Sequence, residues 1–222
     1  TYFSGLEGYQ DGGSARTFTR HGLERLLDKA GIHEYAFYYP YPDYKFVTTI
    51  YSDRYLPKKG ELSNNLRNFD RERVLLFDEK QVFDEIIDEN EFPLFSNSYL
   101  LVVGGAPNVI YTKFSNDRVA KWAIRTAIVR DDPRHMHVEK MADTEAACRH
   151  LMNTKQACEQ LSVRYEGTKI DINQCTVIGD DIKNGLSFEY CRGETLEKLL
   201  DECLMRADVA GFKALIQEYM HW

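Results

Sequence analysis

Gly104-Gly105-Ala106-Pro107-Asn108 follows directly on the apolar run Ser98-Tyr99-Leu100-Leu101-Val102-Val103, and this junction constrains the fold more than any other stretch. A strand does not run on through two glycines and a proline, because glycine leaves the backbone unrestrained and proline removes a ladder donor. The 222 residues therefore divide into 1–105 and 106–222, each long enough to bury a core.

Upstream of the junction, Thr19 is placed to cap a helix from Arg20 to Ala30. Leu23, Leu26 and Leu27 form its apolar stripe, and Gly31 stops it. A strand from Glu34 to Tyr39 runs into Pro40-Tyr41-Pro42-Asp43-Tyr44. The segment 51–71, rich in Asn and charge, reads as an excursion with little regular structure. Val82, Phe83, Ile86 and Ile87 then mark an amphipathic helix before the closing strand at Ser98 to Val103. So few elements cannot cover their own apolar faces, so this half reads as the edge of a larger sheet.

Downstream, three short strands are expected: Val109 to Phe114, Trp122 to Val129 and His135 to Met141. Ser115-Asn116-Asp117-Arg118 and Asp131-Asp132-Pro133-Arg134 supply the turns. A helix follows from Thr144 to Leu161, capped by Asp143 or Thr144, then strands at Asp171 to Ile178 and Leu186 to Tyr190. Glu194-Thr195-Leu196 open a further helix. The expected class is α+β.

Charge and composition exclude several functions. The net charge is −7, and no cluster of Lys and Arg reaches the density of a nucleic-acid footprint. No run approaches the roughly 18 apolar residues of a membrane span, so the expected setting is the cytoplasm. Five cysteines with no CxxC pair fit reduced, packing thiols better than a disulfide framework or a zinc site. His135-x-His137 sends two imidazoles to one strand face, but no third ligand stands near in the sequence. These histidines read as strand surface, and no metal is expected.

Residues 1–104 resemble the C-terminal third of bacterial class I S-adenosylmethionine-dependent methyltransferases. The segment Arg16-Thr17-Phe18-Thr19-Arg20 to Ala30-Gly31 is similar to their last major helix. Phe37-Tyr38-Tyr39-Pro40-Tyr41-Pro42-Asp43-Tyr44-Lys45, with Phe95-Ser96-Asn97-Ser98-Tyr99-Leu100, resembles a glycan-associated subgroup. The resemblance implies a partial sheet edge made of a helix, an antiparallel strand pair and an inserted helix. It also implies Tyr39, Tyr41, Asp43 and Tyr44 on the side of a small-molecule or glycan substrate, where aromatic faces suit rings. A Gly-rich turn after a first strand is what holds the cofactor in such enzymes, and no GxGxG occurs here. Gly12-Gly13 has no strand before it, and Gly104-Gly105 has no helix immediately after it. No cofactor is expected in this chain itself, and S-adenosylmethionine only in a longer parent that has lost neither end; alone, the chain is expected to be inactive.

Residues 107–222 resemble a protein-kinase-like N-lobe, nearer the small-molecule and aminoglycoside phosphotransferases than the protein kinases. The basis is three strands, a helix, two strands and a helix, with Val138-Glu139-Lys140 on the third strand and Phe188-Glu189-Tyr190-Cys191-Arg192-Gly193 as a hinge. The resemblance implies a five-stranded antiparallel sheet with one packed helix and a C-terminal helix. Lys140 would hold nucleotide phosphates, oriented by Glu159 or Glu145, and the backbone around Glu189 and Cys191 would meet the adenine of ATP. The first turn, residues 115–121, has no glycine, and no His-Arg-Asp or Asp-Phe-Gly motif follows. The expected reading is part of a methyltransferase for the parent protein and, for these residues alone, a structural region that docks domains or protomers, a homo-oligomer included; the alternative is the nucleotide-binding half of a phosphotransferase or pseudokinase.

Overall fold

The computed structural model describes residues 18–62, 79–115, 118–179 and 185–221, and in it the chain adopts an α+β fold around one antiparallel sheet of eight strands. The first half supplies α1 (Arg20–Lys29), β1 (Tyr35–Tyr41), β2 (Thr49–Ser52), α2 (Glu79–Asp88), the single turn α3 (Phe92–Phe95) and β3 (Leu100–Val103). The second supplies β4 (Val109–Phe114), β5 (Ile124–Arg130), β6 (Met136–Ala142), α4 (Glu145–Arg164), β7 (Cys175–Val177), β8 (Leu186–Glu189), α5 (Leu196–Met205) and α6 (Val209–His221). Across the sheet the order is β3-β1-β2-β4-β5-β6-β8-β7.

Local chemistry places the helices. Thr19 Oγ1 accepts from the Gly22 amide at 3.1 Å and starts α1, Thr144 Oγ1 accepts from Ala147 at 3.2 Å and starts α4, and Thr195 Oγ1 accepts from Lys198 at 3.3 Å and starts α5. Each satisfies an amide that the first helical turn leaves without a partner.

Register places those helices on one face. Residues opposite each other in an antiparallel pair project to the same side. Tyr39 faces Tyr51 across β1–β2, whose ring meets Tyr111 of β4 at 5.5 Å. From Tyr111 the row continues through Ile128, Val138 and Phe188. Leu23 of α1, Phe83 and Ile86 of α2 and Phe92 of α3 pack on the first part of this row, and Ala147 and Leu151 of α4 on the last. The opposite face carries a second row, Ile50, Thr112, Ala127, Glu139 and Ser187.

The sheet does not divide at Gly104: one sheet runs through both of the units, 1–105 and 106–222, that the sequence suggests. The sequence reading has no strand at Thr49–Ser52, yet β2 lies between β1 and β4 and joins the halves through Thr49↔Lys113 and Ile50↔Thr112. The excursion expected over 51–71 is described as far as Leu62, and its opening is core: Tyr51 is 4% and Leu62 0% exposed. Side-chain clusters do fall into two. One gathers Phe37, Tyr39, Tyr51, Leu62 and Phe92, and the other Ile124, Ala142, Ala147, Leu151, Leu186 and Phe188.

The Gly104–Asn108 junction is held by hydrogen bonds. The Tyr38 hydroxyl donates to the Val109 carbonyl at 2.7 Å, Arg54 donates to the Pro107 carbonyl, and the Gly104 amide donates to Glu34 at 2.9 Å. Gly104 and Gly105 stand at φ +90° and +117°, which lets the chain turn sharply into that tethered loop.

Ser52 makes a buried joint between the halves: its hydroxyl, on a residue 2% exposed, donates to the Ile110 carbonyl at 2.6 Å. Replacing it strands a buried carbonyl. Ser52→Ala is expected to cost about 1–3 kcal/mol, read as a lower midpoint in urea denaturation, with both halves still unfolding in one transition. An unchanged midpoint would show that the joint carries no stability.

Candidate functional site

Lys140 lies on β6, between β5 and β8, with its side chain on the helix-bearing face beside Val138 and Leu186. Its ammonium stands 5.2 Å from the centroid of the Phe188 ring, a cation–π contact on β8. The acidic partner implied for it is not in place. Glu159 pairs with Lys155 one helical turn away, and among the described residues no carboxylate lies within ion-pair distance of Lys140.

The segment after β8 is exposed at Glu189 and Cys191. The Glu189 carbonyl accepts from the Asn173 amide at 2.9 Å and from the Cys191 thiol at 3.9 Å, so part of its acceptor capacity is used within the chain. Glu189 lies opposite His137, so its carboxylate is on the other face of the sheet from Lys140.

The first half contributes to this region, which the sequence reading did not anticipate. Tyr55, just beyond β2, packs on Tyr111 with ring centroids 5.0 Å apart. Burial and a hydrogen bond with the Tyr190 hydroxyl raise its pKa well above the usual phenol range. Lys58 lies close enough to Glu194, and Glu61 to Lys198, for each to act on its charge. The 53–61 loop therefore lies beside residues 190–198.

The four residues placed on a substrate groove do not line one together. Tyr39 is 0% exposed in the aromatic core, edge-to-face with Phe92 at 5.9 Å and Tyr99 at 6.1 Å. Tyr41 packs edge-on to Phe83 at 5.8 Å. Asp43 accepts from the Lys45 and Phe46 amides at 2.7 and 2.9 Å, a turn-forming role. Tyr44 is the exposed member, 62% accessible, with the Lys45 ammonium 5.8 Å from its ring.

Tyr39 instead belongs to a clamp that fastens α1 to the sheet. Arg20 holds Asp53 through both carboxylate oxygens at 2.7 and 3.0 Å, donates to the Tyr39 hydroxyl, and reaches Glu24 at 3.0 Å. Tyr39 in turn donates to Asp53. A forked guanidinium on a carboxylate fixes direction as well as distance, so the arrangement sets the helix position.

On the other face lies a cleft of about 310 Å³, lined by Ile50, Thr112, Phe114, Arg125, Glu139 and Met141 among others. At its end, in the β5–β6 hairpin, Asp131, His135 and His137 each present a ligand atom, all within 4.8 Å of one another. His137 Nδ1 is 3.0 Å from Asp131 Oδ2, His135 Nε2 is 4.0 Å from the same oxygen, and His137 Nε2 is 3.2 Å from Glu139 Oε1. The third group missing from the two-histidine pattern is thus Asp131, which the sequence presents as a turn residue.

Comparisons with protein-family profiles, curated proteins and solved structures find no match for this chain. Among the described residues no helix is long and apolar enough to cross a membrane.

The buried tyrosines give this part of the molecule a pH signature. Burial, with the nearby Glu61 charge, pushes the Tyr111 phenol from 10.0 up to about 12. Burial also raises Tyr51, and burial with the hydrogen bond to Asp53 raises Tyr39. Above pH 10 the unfolded chain sheds phenolic protons that the native state retains, so stability falls as pH rises. The contribution is whole below pH 10 and for Tyr111 is lost toward pH 12. Urea midpoints are expected to drop across that window, less steeply in Tyr111→Phe. A flat profile would contradict the buried, neutral phenols.

Proposed function

We propose that residues 109–205 form the nucleotide-binding half of a phosphotransferase-type module, with Lys140 directed at phosphates and the backbone around Glu189 and Cys191 at the adenine. One observation carries the reading: the Lys140 ammonium sits over Phe188, on the helix-bearing face, at the entrance to the exposed segment that leads into capped α5. The strand order β4-β5-β6-β8-β7 with α4 on that face supports it, and Tyr55 lies beside the hinge. Affinity is weak on this reading. Lys140 has no described carboxylate to orient it, and the turn from β4 to β5 has no glycine to let the backbone approach phosphates.

ATP is expected to bind with a Kd on the order of 1 mM, and Lys140→Met to weaken it about tenfold or more while leaving adenosine binding unchanged. Met keeps an aliphatic stem on Phe188 and removes only the charge. Equal ATP affinity in the variant, measured by calorimetry or ligand-observed NMR, would overturn the reading.

A second reading assigns residues 20–103 to the substrate side of an S-adenosylmethionine-dependent methyltransferase acting on a small molecule or glycan. What favours it is the capped α1 leading into β1, with β1 antiparallel to the edge strand β3 through Tyr35↔Val103 to Tyr38↔Leu100. The chain alone is not expected to bind S-adenosylmethionine, since no Gly-rich turn follows a first strand. Micromolar binding in a calorimetric titration would overturn that and require a cofactor site of another kind.

A further inference from the structure

We propose that Asp131, His135 and His137 form a binding site for a divalent transition-metal ion, zinc in the first instance, with Glu139 orienting His137 from behind. The donor set is two imidazole nitrogens and one carboxylate oxygen, chemistry that suits zinc and its neighbours in the first row. A tetrahedral ion with bonds of about 2.0–2.1 Å holds its ligand atoms roughly 3.3 Å apart. The separations here, 3.0 Å and 4.0 Å to Asp131 Oδ2 and none above 4.8 Å, bracket that spacing. Closure needs a small rotation of His135, whose side chain is 65% exposed and able to turn.

The contacts of His137 argue for a cation at this point. Its Nδ1 faces the Asp131 carboxylate and its Nε2 faces the Glu139 carboxylate, while a neutral imidazole has one N–H. One nitrogen lone pair is then left against an anion. Glu139 accepting from Nε2–H fixes the tautomer with the Nδ1 lone pair directed toward Asp131 and His135, and a metal ion placed there satisfies all three. The carboxylate–histidine–metal relay is the arrangement that orients a ligand imidazole and raises its basicity.

The hairpin is shaped before any ion arrives. Asp132 Oδ1 accepts from the Arg134 and His135 amides at 2.7 and 2.9 Å, and these bonds hold its carboxyl below the usual range. The turn returns His135 and His137 beside Asp131 with its backbone already fixed, so little ordering accompanies binding. Three protein ligands leave the fourth tetrahedral position to water or to an oxygen donor from the neighbouring cleft. The site is independent of the nucleotide reading, because His137 and Lys140 project from opposite faces of β6.

Zinc chloride titrated into the full chain near neutral pH is expected to bind one ion per chain by calorimetry. Cobalt(II) in its place is expected to give weak visible bands with no thiolate charge-transfer band, since none of the five cysteines is in the cluster. His135→Ala and His137→Ala should each abolish that step, and Glu139→Gln should weaken it about 10–100-fold. His150→Ala should leave it intact, and circular dichroism checks that each variant is folded. The proposal is overturned by absence of a binding step, by a strong thiolate band, or by binding that survives His137→Ala. If His137 is simply an imidazolium bridging two carboxylates, the zinc step is missing, and the histidine shows the same NMR titration with and without the metal.

Discussion

The short strand β2 makes the molecule one body. With only Thr49–Ser52 in extended pairing, it sits between β1 and β4 and converts two groups of strands into a single sheet. Two ladder pairs with β4 are a slender connection. The side chains around it reinforce it: Ser52 to the Ile110 carbonyl, Tyr38 to Val109, Arg54 to Pro107. Without this joint, β1 and β4 would each present an open edge of unpaired amides and carbonyls, a template for association with other chains. The same joint brings the 53–61 loop beside the end of β8, where Tyr55 meets Tyr111 and Tyr190.

What could be read from the sequence was local. The starts of α1, α4 and α5 follow from single threonines bonding amides three positions on, information contained within one turn of chain. β2 escaped because four residues are too few to show a period, and the polar segment after it disguised a strand as excursion. Phe37, Tyr39 and Tyr41 share one face of β1 by strand alternation, and alternation alone is silent on whether that face meets solvent or helices. α1, α2 and α3 cover it, so a supposed groove is core. Exposed Tyr44 lies beyond the strand and follows no such rule.

Candidate chemistry depends on contacts between distant positions, which sequence spacing does not report. The kinase-like resemblance pairs Glu159 with Lys140, but Glu159 meets Lys155 four residues away on its own helix, and an i,i+4 pair forms without tertiary help. Composition places Asp131 in the turn. The turn does form, and in closing it folds the carboxylate back onto His137. A two-histidine strand pattern flanked by an acidic hairpin was therefore the available signal, read one residue type at a time.

β6 carries two unlike chemistries because strand side chains alternate. Lys140 projects under the helices toward Phe188, whereas His137 and Glu139 project to the far side, where Glu139 lines the cleft. A slip of one residue would exchange them, placing an ammonium in the cleft and imidazole against α4. Full-length pairing with β5 opposes the slip, from Ile124↔Ala142 to Arg130↔Met136. Gly185 opposes it from the other edge. At φ +120° it lies so close that a Cβ there would stand 2.6 Å from the Lys140 carbonyl oxygen and 2.5 Å from Met141 Sδ. Backbone can approach that closely only where no side chain intervenes, so β8 enters the sheet at this register, with Leu186 opposite Lys140. The separation of the two candidate sites is consequently a property of strand register, fixed at Gly185 on one side and by the β5 ladder on the other.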